Sequence, residues 1–478
     1  MIKDNITANI SDTLVHFGIS TDDLQNIIRE SLSKGGNYAD LFFEHTVYNS
    51  ISLRDGEVNK ASSNIDFGVG IRVVVGDSTG YAYVENTYLP DLLKAARTAA
   101  EIAKISRDIS PLKIDEKYFD NHYIIQKNWD KISVDHKKSY LEKFNSKIFS
   151  LDPRIIKASI SLIDATSRIL FFNSEGTLTC DYRPMAVLSV SCTMEQNNSI
   201  ENGYASRSYR IGYELLDEKL IDTLSQEVVS QTSLMFDAIK PKGGEMPVVM
   251  GAGGSGILLH EAIGHAFEAD FNRKNISIFS ESLGKKICSE NINVVDDGTI
   301  DNSRGAINFD DEGVESQKTY IVKNGILESY LHDRISAQHY GIKPTGNGRR
   351  QSFRHIPMPR MRVTYMEAGN NTEEEMIASV KQGVYVDNFS NGQVQIGVGD
   401  FTFFVKTGYL IENGKLTQPI KDINIIGNGP KALADITMVG NNLKIDESAW
   451  TCGKDGQSVP VGQGLPSVLV SSLTVGGQ

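Results

Sequence analysis

The sequence predicts an α+β protein, an N-terminal α/β region followed by a β-rich C-terminal domain that carries a metal-binding helix. Three observations lead there. Apolar residues recur at helical spacing in Leu24, Ile27, Ile28 and Leu32, and again in Val134, Tyr140, Leu141, Phe144 and Ile148. Next to these stretches the period drops to two, with hairpin signals at Asp55-Gly56 and Gly76-Asp77. From Met246 onward the chain becomes short strand-like runs between turns such as FDDEG, KNG, ENG, GNGP and GKDGQ.

Taken in order, Thr21 caps the first helix and the Gly35-Gly36 pair ends it. ADLFFEHTVYNSISLRDGEV reads as two strands and FGVGIRVVVGDSTGYAYVE as two more; a helix follows from Pro90 to about Lys104. The order then recurs. Ser133 to Phe149 is helical, RIIKASISLIDATSRILFFNSEG supplies strands with a turn at Glu175-Gly176, and strands surround Ala186–Met194 and Gly203–Tyr213. A helix runs from Asp217 to about Ala238. The expectation is a duplicated helix–four-strand–helix unit over 15–105 and 130–240, joined by a connector from roughly Ser106 to Trp129. The boundary falls between Lys240 and Glu245, dividing an N-terminal α/β domain, 1–240, from a β-rich domain, 241–478. In the second part Thr372–Gln382 is the main later helix and PSVLVSSLTV a buried strand, which suggests a sandwich or barrel with a helix attached.

The 478 residues allow about two to three domains. A net charge of −12 argues against direct nucleic-acid binding, which leaves a basic footprint. No run approaches ~18 consecutive apolar residues, so no transmembrane helix is expected, and MIKDNITANISDTLVHFGIS has no secretory pattern. Cys180, Cys192, Cys288 and Cys452 are widely spaced and read as reduced thiols, which places the chain in the cytoplasm.

The chemically informative stretch is VVMGAGGSGILLHEAIGHAFEADFNRK. A strand ends at Met250, and a helix beginning near Ser255 carries His260, Glu261 and His265. In the common zinc-peptidase motif the two histidines are four residues apart and share one helical face. Here the spacing is five, which on an ideal helix leaves the rings about 140° apart. A single π-bulge restores the alignment, and Gly264 would permit it. An open catalytic site needs three protein ligands. Cys452, in what reads as a polar loop, Glu268 on the same helix, and more distant acids are the candidates, and spacing does not separate them.

Five ordered blocks then carry a resemblance: GILLHEAIGHAFEADFNRK, VDDGTI with RGAINFDDEG, GNGRRQSFRHIPMPRM, GYLIENGKLTQPIKDINIIGNGP and TCGKDGQSVPVGQGLPS. The chain resembles the TldD branch of the TldD/PmbA family. That resemblance implies a metal-dependent peptidase acting on unfolded or flexible peptides, paired as a homodimer or with a PmbA (TldE)-like subunit, its site inside an enclosed chamber. It also implies a metal on His260, His265 and Cys452, with Glu261 as the base that takes a proton from water, and that nitrogen and sulfur set favours one Zn2+. Another divalent ion would also suit such a site. His355, Arg350 and Arg354, in the GNGRRQSFRHIPMPRM block, are candidates for gripping substrate or steadying an oxyanion.

Three rival readings are weaker. Gly251 to Gly256 matches G-x-G-x-x-G after a strand, but the polar FNRKNISIFSES follows where a dinucleotide fold needs a parallel strand, so a tight packing turn is the better reading. A non-catalytic partner subunit would share the fold, but the intact motif argues against it. Asp296, Asp297, Asp301, Asp310 and Asp311 lack EF-hand spacing and read as solvated turns rather than a calcium site.

Overall fold

The structure, a computed structural model, describes residues 8–103 and 113–477; the stretch 106–112 of the expected connector lies outside the described residues. Helices α1 (Ile10–Phe17) and α2 (Thr21–Leu32) come first. The eight residues of α1 are too few to show a clear period in the sequence. The cap of α2 is Ser20 rather than Thr21, because Asp23 three residues on completes a capping box with it.

The remaining N-terminal elements are β1 (Tyr38–Arg54), β2 (Glu57–Val75), β3 (Ser78–Val84) and α3 (Leu89–Ala100), then α4 (Val134–Leu151), β4 (Ile155–Asn173), β5 (Thr177–Gln196), β6 (Ser199–Tyr209) and α5 (Glu218–Leu234). Each half of the repeat therefore has three long strands where four shorter ones were expected. The first half of β2 is polar and largely exposed, which made it read as a break. It stays extended because β1 pairs with it along its length, so backbone hydrogen bonds rather than burial hold it. The tight turn between β1 and β2 uses Asp55 and Gly56, both at positive φ, as a two-residue hairpin requires.

These six strands run antiparallel in the order β3-β2-β1-β4-β5-β6, and the short strand Asp115–Glu116 joins the same sheet parallel to β5. The two-residue period sorts its faces. Leu41 and Phe43 pack with α2 and α3, while Ile51 and Leu53, of the same parity, pack with α4 and α5. Helices thus cover one face. The opposite parity, Phe42, Glu44 and Tyr48, turns toward the C-terminal half.

That half contains β7 (Gly244–Met250), β8 (Val294–Asp297), β9 (Lys318–Lys323), β10 (Val363–Met366), β11 (Gln382–Gln395), β12 (Asp400–Glu412), β13 (Asn424–Asn428), β14 (Thr451–Lys454), β15 (Gln457–Pro460), β16 (Gly462–Leu465) and β17 (Val468–Gly476). Strands β11-β7-β17-β13-β12 follow one another, and β12 pairs back onto β11, so the ring closes and the barrel-like expectation is met. A second sheet joins β9, β8, β10 and β16. The later helix is shorter than expected, Glu373–Ser379 with Thr372 as its cap, and Gln382 already belongs to β11. No described helix is long and apolar enough to cross a membrane.

The two halves are tied by buried charge. Arg72 on β2 donates to Asp40 at 2.8 Å and to Glu312 at 2.6 Å, with all three side chains sealed from solvent. The acidic turns are likewise internal rather than solvated. Asp296 accepts from Arg362 at 2.8 Å, Asp310 from the backbone of Glu312, Val314 and Gly348, and Asp311 from Arg183 at 2.6 Å. Asp297 is buried too, and of the five only Asp301 is open to water. A buried carboxylate needs such donors, and a single sequence does not display them.

Candidate metal centre

β7 ends at Met250 and the chain turns through the glycine loop. A Cβ on Gly256 would stand 2.8 Å from the backbone of Gly464 on β16, so glycine here lets two backbones touch. The strand that follows, β8, pairs antiparallel with β9 and β10, not as a parallel nucleotide-binding unit. The loop is a packing turn.

Leu258–Gly264 then forms a π-helix, with the His265 N–H closing onto the His260 carbonyl five residues back. This irregularity brings the two imidazoles together, their centroids 5.1 Å apart and their planes at 82°. Gly264 matters for a different reason from the one expected. Its φ of −59° is ordinary helix, but a Cβ there would lie 2.3 Å from the Met361 sulfur and 2.9 Å from the Leu259 carbonyl. Space, not backbone freedom, calls for glycine. Gly429 does the same from outside: its Cβ would fall 2.0 Å from the Ala262 carbonyl.

Cys452 is not in a loop, as its glycine-rich surroundings suggested. It lies on β14, which forms a hairpin with β15 through Asp455 and Gly456, both at positive φ. Alternation buries Cys452 and Lys454 and exposes Thr451 and Gly453. The Cys452 sulfur is 3.4 Å from His265 Nε2. His260, His265 and Cys452 each offer a donor atom within 4.8 Å of the other two, the one such group of His, Cys, Asp and Glu among the described residues.

Glu268, the other candidate left open by spacing, takes a different place. Its Oε2 is 3.0 Å from His265 Nδ1, on the far side of the ring from the sulfur. A carboxylate only accepts, so that contact calls for an N–H on Nδ1 and turns Nε2 toward Cys452. Burial works against the charge on Glu268, but Lys454 at 3.0 Å and His265 outweigh it and hold its pKa at about 2. Burial likewise pushes the Cys452 thiol up, yet the adjoining His260 and His265 rings pull it well below the usual thiol range. Burial lowers the His265 pKa, and Glu268 and Cys452 more than reverse this. His260 Nδ1 is buried with no hydrogen-bond partner. Two imidazoles, a thiolate-prone sulfur and an unpartnered buried nitrogen fit a zinc ion, which favours nitrogen and sulfur ligands. Glu261, next to His260, is partly exposed.

The three basic candidates are dispersed. Arg354 is occupied at the surface by Asp66 and Glu85, both at 2.9 Å. His355 Nδ1 shares a hydrogen bond with Ser352 Oγ at 3.1 Å. Arg350 is buried over the Phe42 ring and donates to the Asp311 carbonyl at 2.7 Å. Sequence reasoning passed over Lys454, which also meets Asp270 at 2.7 Å, and Arg360, which donates to the Cys452 carbonyl at 2.5 Å. Lys454 had a signal: two residues past Cys452 on a strand, it shares the cysteine's face.

Comparison with known proteins shows the family. Residues 243–477 match the PmbA/TldA metallopeptidase C-terminal domain, 127–236 the central domain of that family and 39–103 its domain 1. A Haemophilus influenzae relative named metalloprotease TldD homolog is 39% identical over 476 residues, covering 98% of this chain and 99% of that one. The chain belongs to the PmbA/TldD metallopeptidase family. A Saccharolobus solfataricus relative, 29% identical over 94% of this chain and 99% of its own, is named a zinc metalloprotease TldD homolog. In fold, a Thermotoga maritima crystal structure aligns with a TM-score of 0.77 at 20% identity, over 96% of this chain and all of that one. TldE from Thermococcus kodakarensis aligns at 0.74 and 18%, over 95% of this chain and 100% of that one.

Proposed function

We propose that this chain is a zinc-dependent peptidase for unfolded or flexible peptides, with His260, His265 and Cys452 holding the ion and Glu261 acting as the base. The observation that carries the reading is the π-helical turn that faces two imidazoles toward one buried sulfur. A bound zinc ion supplies Lewis acidity toward a peptide carbonyl and makes nearby water a stronger acid. Glu261 accepts the water proton and returns it to the departing amine. Its place beside His260, on a residue partly exposed to solvent, suits that exchange. Glu268 orients His265, and Lys454 keeps Glu268 charged. Arg350 is the one of the three basic candidates that lines a cavity together with Thr451, the neighbour of Cys452, and we assign it to the substrate side.

We further assign residues 1–240 to one domain and 241–478 to the peptidase domain, within a homodimer or a pair with a TldE-like subunit; the fold likeness to a TldE structure supports the pairing. Four unbridged cysteines suit a reducing cytoplasm. The test is metal content and peptide hydrolysis for the wild type and Glu261→Gln. Zinc near one per chain in both, with cleavage lost only in the variant, is the expected result. Cleavage retained by Glu261→Gln sinks the base assignment.

A further inference from the structure

A cavity of about 420 Å3 lies between the outward face of the N-terminal sheet and the β14–β15 hairpin. Five arginines line it: Arg183, Arg210, Arg304, Arg349 and Arg350. Two of these are balanced. Arg183 meets Asp181 at 2.8 Å and Asp311 at 2.6 Å, and Arg350 meets Asp40 at 3.4 Å.

The other three have no carboxylate within ion-pair distance among the described residues. Arg304 donates to the Trp450 carbonyl at 2.6 Å, Ser208 Oγ at 2.6 Å and Thr451 Oγ1 at 3.1 Å. Arg349 donates to the carbonyls of Met361 at 2.6 Å and Pro460 at 2.8 Å. The Arg210 guanidinium has one long hydrogen bond, to the Pro184 carbonyl at 3.4 Å, and lies 5.6 Å from the centre of the Tyr123 ring, while its Nε is buried without a hydrogen-bond partner. The acids in the wall do not offset them. Asp311 is engaged by Arg183, and burial pushes the Glu44 carboxyl up to about 7. Burial, with repulsion from Arg210, brings Arg304 down to about 10 and Arg349 to about 9, which leaves both cationic at neutral pH.

Arg210 and Arg349 are buried and Arg304 half-buried, and buried guanidiniums without counter-charges destabilise a protein that holds nothing between them. They favour one that holds an anion, because guanidinium donors match a carboxylate with short charge-assisted hydrogen bonds. The remaining wall is partly apolar, with Phe42, Ile169 and Val187, so it suits an anion borne on an organic chain. Thr451 stands in the wall, and the next residue, Cys452, turns to the opposite face of the same strand.

We propose that this cavity receives a carboxylate of the substrate peptide, held by Arg210, Arg304 and Arg349. The assignment rests on the peptidase reading above and gives that site a substrate class, peptides carrying a carboxylate at a fixed distance from the cleaved bond. The carboxylate is either the chain end or an acidic side chain.

The experiment uses three fluorescently labelled peptides of one sequence: the free acid, the C-terminal amide, and the amide with one internal Gln→Glu change. Affinity is read by anisotropy on the full-length, zinc-loaded Glu261→Gln protein, and cleavage on the wild type. At least one carboxylate peptide is expected to bind roughly tenfold tighter than the plain amide. Preference for the free acid alone assigns the cavity to the chain end; preference for the glutamate peptide assigns it to a side chain. Adding Arg210→Met, with folding checked by circular dichroism, should bring the ratio close to one, and Arg210→Lys should keep part of it. Equal affinity for all three peptides, or an unchanged ratio in Arg210→Met, overturns the proposal. The first comparison needs no arginine variant, so it decides even if Arg210→Met fails to fold. Cleavage with equal affinities removes the cavity and leaves the peptidase. A clear affinity ratio with no cleavage of any peptide by the zinc-loaded wild type removes the peptidase reading and leaves the anion site.

Discussion

Replacing Lys454 by methionine tests how far the proposed metal centre depends on groups behind His260, His265 and Cys452. The Lys454 side chain is 3% exposed and lies 3.0 Å from Glu268, itself fully buried, and 2.7 Å from Asp270. Removing one partner of a buried ion pair costs about 3–5 kcal/mol. The lower end, about 3 kcal/mol, applies because His265 still faces Glu268, and Asp270, whose pKa burial already raises, takes up a proton readily. Loss of an outer partner of a ligating histidine typically weakens metal binding 10–100-fold. About tenfold is expected here, since the Glu268 contact itself survives. Zinc affinity by chelator competition and stability by urea unfolding measure the two effects. Lys318→Met, at a half-exposed pair with Glu367, is the control and should cost no more than about 1 kcal/mol. Zinc affinity within about twofold of wild type in Lys454→Met, with stability near that control, would refute the reasoning.

Gly264→Ala should distort the π turn, because its Cβ meets the Met361 sulfur at 2.3 Å; overpacking of this kind costs about 1–3 kcal/mol, and zinc stoichiometry should fall with stability. If the variant binds zinc normally, the turn is not under that constraint. His332 is buried, and burial lowers its pKa from 6.5 to about 4, so the unfolded chain takes up the proton first as pH drops. Its stabilising contribution is complete above 6.5 and declines as pH falls toward 4, by up to about 3 kcal/mol. The stability difference between wild type and His332→Gln, followed by urea unfolding from pH 7 to 4, should shift by roughly that amount in the variant's favour; a constant difference contradicts the burial argument. Arg354→Ala removes two partly exposed pairs and should change stability by about 1 kcal/mol at most without altering KM. A large rise in KM would return Arg354 to the substrate side.

Much of the fold was legible because it rests on local signals. Asp55-Gly56 marked its hairpin, and Ser133 and Asp217 marked helix starts, through hydrogen bonds made within a few residues. The misjudged elements lacked such signals. The exposed half of β2 is a strand only because β1 lies beside it, and Cys452 is buried only because its hairpin closes over the π turn. The same holds for Asp296 and Asp310, whose partners are far away in the chain.

At the metal centre the sequence alone determined the donor types and one geometric demand: histidines five apart need an irregular helix to face each other. Which of the candidate donors stands beside the two imidazoles was decided by the tertiary structure. It brings Cys452, 187 residues from His265, to one nitrogen of that ring and turns Glu268, three residues away, to the other. The physical reason is direction. Sequence spacing limits how far a side chain reaches along its own helix, but which atom of an imidazole a distant group meets depends on how separate strands and helices pack, and that is a property of the folded chain.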